Sequence, residues 1–108
     1  MKSEFTVNYI GDDENGLKLA ISGRIDASNF EDVSAAISKE RSAHPQGAMI
    51  LDMDGLYYTS SAGLRILLTF AKEESEKIQM LNLDPDLFDI FEDAGFTNIL
   101  DITQKEEA

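Results

Sequence analysis

Three consecutive hydroxyls, Thr59-Ser60-Ser61, stand immediately before Ala62-Gly63-Leu64. A serine there can cap a helix, act as a nucleophile, or accept a phosphoryl group. Nucleophilic catalysis requires an activating base, and His44, beside Pro45 in what reads as an exposed loop, is the sole histidine. The chain has no Gly-x-Ser-x-Gly elbow, no Gly-rich phosphate loop and no metal-binding histidine pattern. With no cysteine, it has neither a disulfide framework nor a thiolate site. An enzyme is therefore not expected, and no catalytic residue, metal site or cofactor is assigned. Asp52 and Asp54 share a face at strand spacing; such a pair can hold Mg²⁺, but two solvated carboxylates ending a strand are the commoner outcome and the expectation here. Tyr57 and Tyr58 precede the hydroxyls. One is expected to pack inward and the other outward, where tyrosine is a favoured interface anchor. Arg65 is a lone cation beside the serines, suited to a phosphate or simply to a solvated helix face.

These residues need elements to position them. Phe5, Val7 and Tyr9 alternate with polar residues, as do Leu17, Leu19 and Ile21, which is the strand period. Gly11 to Gly16 between them reads as a hairpin loop. Ser28-Asn29-Phe30-Glu31 has capping-box spacing, and Phe30, Val33, Ala36 and Ile37 predict a helix from Asn29 to Ser42, ended by His44-Pro45-Gln46-Gly47. Ala48-Met49-Ile50-Leu51 is a continuous apolar run, the pattern of a central strand buried on both faces. A short loop from Asp52 is then expected to lead to the serines. Leu64, Leu67, Leu68 and Ala71, with Ile66 and Phe70, predict a second helix that starts at Ser60 or Ser61. Ile78 to Leu83 reads as a strand. Asp84-Pro85 is a helix start, with Leu87, Ile90, Phe91 and Ala94 as the buried stripe and Gly95 at the left-handed position after it. Ile99 to Ile102 adds a short strand.

The order is β-β-α-β-α-β-α-β: an α/β domain whose mixed sheet has a parallel core, with helices packed on it. The 108 residues suffice for one core. One domain is expected over residues 1–103, with residues 104–108 a disordered tail. The net charge of −12, from 21 Asp and Glu against 9 Lys and Arg, disfavours phosphate-backbone binding and anionic membranes. It suits solubility and a basic partner. No apolar run is long enough to cross a bilayer and the N-terminus has no signal pattern, so a cytoplasmic protein is expected, with no nucleic-acid partner and no direct membrane insertion.

Local chemistry alone favours a capping role for Thr59, Ser60 and Ser61, serine being a leading N-cap residue. Free amides at such a helix start also attract anions. Gly63, within the first turn, is not explained by capping and would let another backbone approach closely. A larger pattern changes the weighing. Ser60-Ser61-Ala62-Gly63-Leu64 after a strand ending in Asp resembles the signature of STAS domains, and specifically of bacterial anti-sigma factor antagonists. Gly23-Arg24-Ile25-Asp26 resembles that family's Gly-x-Leu-Asp after the second strand. Leu87 to Phe96 resembles its third helix, and the order of elements agrees along nearly the whole chain.

That resemblance implies partner switching. The unphosphorylated antagonist binds an anti-sigma factor that is also its serine kinase, which releases a sigma factor. Phosphorylation breaks the complex and a protein phosphatase restores it. The phosphorylated serine of the family maps onto Ser61, with Ser60 and Thr59 as secondary acceptors. Asp26, Tyr58, Ser60, Ser61, Gly63 and Arg65 form the implied partner-binding edge. Ser60 departs from the pattern, since the family often carries Asp there. Two other readings stay open. A phospho-acceptor receiver domain is also acidic and α/β, but it wants an acidic pair after its first strand, where this chain has a hairpin. A stand-alone STAS subunit of a stress-signalling or lipid-transport complex is the stronger competitor.

Overall fold

The computed structural model describes residues 1–106. An antiparallel hairpin opens the chain, β1 (Phe5–Asp13) and β2 (Gly16–Ile25). There follow α1 (Phe30–Ala43), β3 (Ala48–Thr59), α2 (Ser61–Glu73), β4 (Gln79–Leu83), α3 (Pro85–Asp93), a single 3-10 turn (Phe96–Asn98) and β5 (Asp101–Gln104). The five strands lie in the order β1-β2-β3-β4-β5. Only β1 runs antiparallel to its neighbour, so the expected mixed sheet with a parallel core is present.

Every crossover after β2 steps the same way across the sheet. Right-handed connections then place all three helices on one face. Leu17, Leu19, Ile21, Met49, Leu51 and Met53 point into the core beneath them and are buried. Their alternating neighbours Lys18, Ala20, Ser22, Ile50 and Asp52 are only half-buried. The expectation that the Ala48–Leu51 run is covered on both faces is corrected for Ile50, because no helix crosses the far side.

Two helix ends behave as their sequences predict. Asp84 caps α3 by accepting from the Asp86 N–H at 2.8 Å, with Pro85 in the first turn. Gly95 takes φ +82° directly after the helix, which favours glycine, and Phe96 packs edge-on against Phe91 at 5.6 Å. The α3 stripe is narrower than expected: Leu87 and Phe91 are buried, but Ile90 and Ala94 are exposed. A nine-residue helix lying at the end of the sheet meets the core along one line only.

The end of α1 is clamped to the end of α2. The Arg41 Nη2 donates to the Gly47 carbonyl at 2.6 Å and to Glu74 Oε1 at 2.7 Å. His44, read as exposed, is instead held: its ring stacks on Tyr9 at 4.4 Å and its Nδ1 lies 3.3 Å from Asp12. The last strand starts later than predicted, at Asp101, and includes Gln104. The Lys105 N–H donates to the Leu83 carbonyl at 2.8 Å. Of the tail expected over 104–108, residues 107–108 lie outside the described residues.

Candidate functional site at the carboxyl edge of the sheet

The carboxyl edge is built by β2 and β3, which both outrun β4. β3 pairs with β4 only over Ile50–Asp52, yet it continues beside β2 to Thr59. The loop expected after Asp52 is therefore strand. β2, ten residues long, supplies ladder partners for it, with register shifts that absorb the extra residues. The bulged geometry breaks simple alternation, so Leu56 and Thr59 are buried while both Tyr57 and Tyr58 face outward. The expected split of the two tyrosines is corrected: neither enters the core, and Tyr58 lies under the Arg24 guanidinium, 3.9 Å from its ring centre. That is the distance of a cation–π contact.

Asp26 directly follows β2 and ties three segments together. Its Oδ1 accepts from the Ser28 N–H at 2.9 Å and the Ser28 hydroxyl at 2.6 Å, and its Oδ2 from the Ser3 hydroxyl at 2.5 Å and Arg24 Nε at 2.8 Å. These donors, Ser28 first, then Ser3 and Arg24, hold its carboxyl far below the ordinary carboxylate range. Behind it Asn29 is buried. Its Nδ2 donates to the carbonyls of Ser3 and Arg24 at 2.8 and 2.7 Å, and its Oδ1 accepts from the Asp26 N–H at 3.0 Å. The capping box predicted at Ser28 and Glu31 does not form. The N-cap is Asn29, with no side-chain bond to the first turn, because the Ser28 Oγ accepts from the Ser3 N–H at 2.9 Å while its proton goes to Asp26. Gly23 lets the N-terminal segment lie this close. It holds φ +96°, and a Cβ there would meet the Glu4 carbonyl oxygen at 2.5 Å.

At the start of α2 the three hydroxyls take three different roles. Thr59 is buried, and its hydroxyl donates to the Ser60 carbonyl at 3.2 Å; an acceptor role there would require this turn to open. Ser60 is the N-cap, with its Oγ accepting from the Ala62 N–H at 3.2 Å and its own N–H bonded to the Ile25 carbonyl at 2.9 Å. Ser61 is the first helical residue. It is exposed, and among the described residues its hydroxyl has no hydrogen-bond partner. Because Ser60 stands at the cap, its departure from the usual Asp exchanges one good N-cap residue for another.

Gly63 is buried rather than presented to a partner. A Cβ there would fall 2.0 Å from Thr59 Oγ1 and 2.9 Å from Ile25 Cγ2. It seats α2 on the sheet edge, a packing role within the fold. The close approach it permits is to side chains of β2 and β3. Between α1 and α2 lies an open groove of about 620 Å³. Phe30 and Glu31 line it from α1, and Ser61, Ala62, Arg65 and Ile66 from α2. The sequence reading missed Phe30, Glu31 and Ile66 as site residues. Their spacing reads as ordinary helix amphipathicity, and only the packing of α1 beside α2 turns it into a groove. Arg24, too, was legible only as part of a motif.

The remaining candidates lie away from this edge. Asp52 accepts from Asn82 Nδ2 at 3.1 Å, and Asp54 pairs with Lys105 Nζ at 2.8 Å. Among the described residues no group of three or more His, Cys, Asp or Glu side chains is placed to hold a metal ion. No helix among them is long and apolar enough to cross a membrane.

This arrangement meets its match in known proteins. The family described as Mlab, STAS domain, matches residues 10–101. The chain belongs to the STAS domain family. A curated relative is BtrV of Bordetella bronchiseptica, named provisionally as an anti-sigma factor antagonist. It is 29% identical over 98 residues, which cover 87% of this chain and 84% of that protein. Among solved structures, this STAS domain superposes on an anti-sigma factor antagonist from Mycobacterium paratuberculosis with a TM-score of 0.78 and 18% identity, covering 92% of this chain and 85% of the other. It superposes on the unphosphorylated anti-sigma factor antagonist SpoIIAA with a TM-score of 0.71 and 17% identity, covering 94% and 90%. The phosphorylated form of SpoIIAA, the Bacillus cell fate determinant, gives 0.64 at the same identity, covering 94% and 93%. At these identities the structural likeness speaks to the fold.

Proposed function

We propose that this STAS domain is an anti-sigma factor antagonist of the cytoplasm. Its unphosphorylated form binds an anti-sigma factor through the carboxyl edge, with Tyr58, Ser60, Ser61 and Arg65 in the contact and Asp26 holding the edge in shape. A sigma factor is thereby released. The anti-sigma factor, acting as a serine kinase, transfers the γ-phosphoryl group of ATP to Ser61 Oγ. The hydroxyl loses its proton, ADP leaves, and the complex ends. A protein phosphatase removes the phosphate.

The observation that carries this reading is the division of labour between the serines. Ser60 does the capping, which leaves the Ser61 hydroxyl free and exposed beside the groove. The name of the curated relative and the two phosphorylation states of SpoIIAA support it. A phosphate at this point brings about −1.5 to −2 charges. The first turn of a helix tolerates that charge, so the fold survives and the effect falls on the partner surface.

Calorimetry of Ser61→Ala and Ser61→Asp against the cognate anti-sigma factor tests the switch. The Ala variant should bind like the parent and resist ATP-driven release, and the Asp variant should bind about tenfold or more weakly. Equal binding by the two would remove Ser61 from the switch.

A further inference from the structure

Arg65 stands apart from the other arginines. Arg24 Nε lies 2.8 Å from Asp26 Oδ2, and Arg41 Nη2 lies 2.7 Å from Glu74 Oε1. Among the described residues the Arg65 side chain has no ion pair and no hydrogen bond; only its carbonyl is used, by the Thr69 hydroxyl. Although the chain is rich in acidic residues, no carboxylate among the described residues pairs with this guanidinium.

It is exposed and shares one wall of the α1–α2 groove with Ser61. The two residues are four apart on α2, so they are neighbours on its surface, with the acceptor N-terminal to the base. That is the favourable orientation for an ion pair on a helix. Glu31, the acidic residue lining the groove, belongs to the opposite wall and would repel an anion on Ser61 towards Arg65.

We infer that Arg65 is the built-in counter-ion of a phosphate on Ser61, and that phosphorylation withdraws this guanidinium from the partner surface. The inference rests on the phosphorylation reading above and adds a mechanism to it. The planar guanidinium can bind two phosphate oxygens at once. The phosphate then lies along α2, over the groove wall that carries Ala62 and Ile66. The unphosphorylated chain offers a partner the Arg65 guanidinium, in no ion pair among the described residues, beside a largely apolar groove. The phosphorylated chain offers a neutralised pair and a covered wall, so the switch removes an attraction as well as adding an anion.

The test installs phosphoserine at position 61 during translation, so that no kinase is required. The phosphate is then titrated by ³¹P NMR in the parent, Arg65→Gln and Arg65→Lys chains. An exposed arginine replaced by glutamine should leave the fold intact. At low salt the second phosphate ionisation should occur about 0.2–0.4 pH unit lower in the parent than in Arg65→Gln, with Arg65→Lys between them. The difference should vanish near ~1 M salt. Coincident titrations of the parent and Arg65→Gln at low salt would overturn the inference. An anti-sigma factor that bound phosphorylated and unphosphorylated chains equally would instead defeat the functional reading, and it would leave this titration unchanged.

Discussion

The two helix starts at the carboxyl edge are built from similar residues and put them to opposite uses. Before α1, Ser28 and Asn29 are spent inside the molecule: Ser28 on Asp26, and Asn29 on Ser3, Arg24 and Asp26. The first turn of α1 receives no side-chain cap. Before α2, Ser60 alone satisfies the first turn and Ser61 has nothing to do within the fold. A hydroxyl at a helix start becomes available for chemistry only when its neighbours already meet the structural demand. In this chain the first start is a knot and the second a handle.

Substitutions can sharpen that contrast or dissolve it. The largest effect is expected at the knot. Asn29→Ala would leave two carbonyls and one N–H unpaired in a buried site, which should cost about 2–3 kcal/mol in urea denaturation; a loss below about 0.5 kcal/mol would mean that the knot is ornamental. At the handle, Ser60→Ala removes the N-cap and should cost about 1 kcal/mol, a fall of about 4 °C or more in Tm for a domain of this size. Ser61→Ala should stay within about 0.5 kcal/mol. If the two serine variants lost equal stability, Ser61 would be structural and the division of labour between them would fail.

The remaining effect is confined to acid. The Asp26 carboxyl is held below its ordinary value, so its stabilisation is complete above about pH 4 and fades as the pH falls through and below that value. The urea midpoint of the parent should therefore drop more between neutral and acid pH than that of Asp26→Asn. Parallel drops would show that Asp26 does not anchor the edge.

Much of this was legible along the chain because it is local. Alternation fixed the hairpin strands, a 3.6-residue period fixed the helices, and Asp84-Pro85 with Gly95 bounded α3 by capping chemistry that needs only near neighbours. The elements misread were those whose partners lie far off. The capping box at Ser28 and Glu31 lost to Asp26, which also gathers Ser3 from 23 residues away. The strand beyond Asp52 exists because β2 runs alongside it. Ile90 and Ala94 are exposed because α3 meets the core along a single line, a limit that periodicity cannot express.

The site divides the same way. Sequence by itself determined that hydroxyls precede a helix on the edge of a parallel sheet, in a pattern resembling STAS domains. Which hydroxyl stays free was decided by tertiary structure. The Ile25 carbonyl fixes the Ser60 N–H, Gly63 seats α2 against Thr59 and Ile25, and α1 closes the groove that Ser61 and Arg65 share. Hydrogen-bond capacity is a property of the residue, but whether that capacity is already used depends on groups that only folding brings within 3 Å or so.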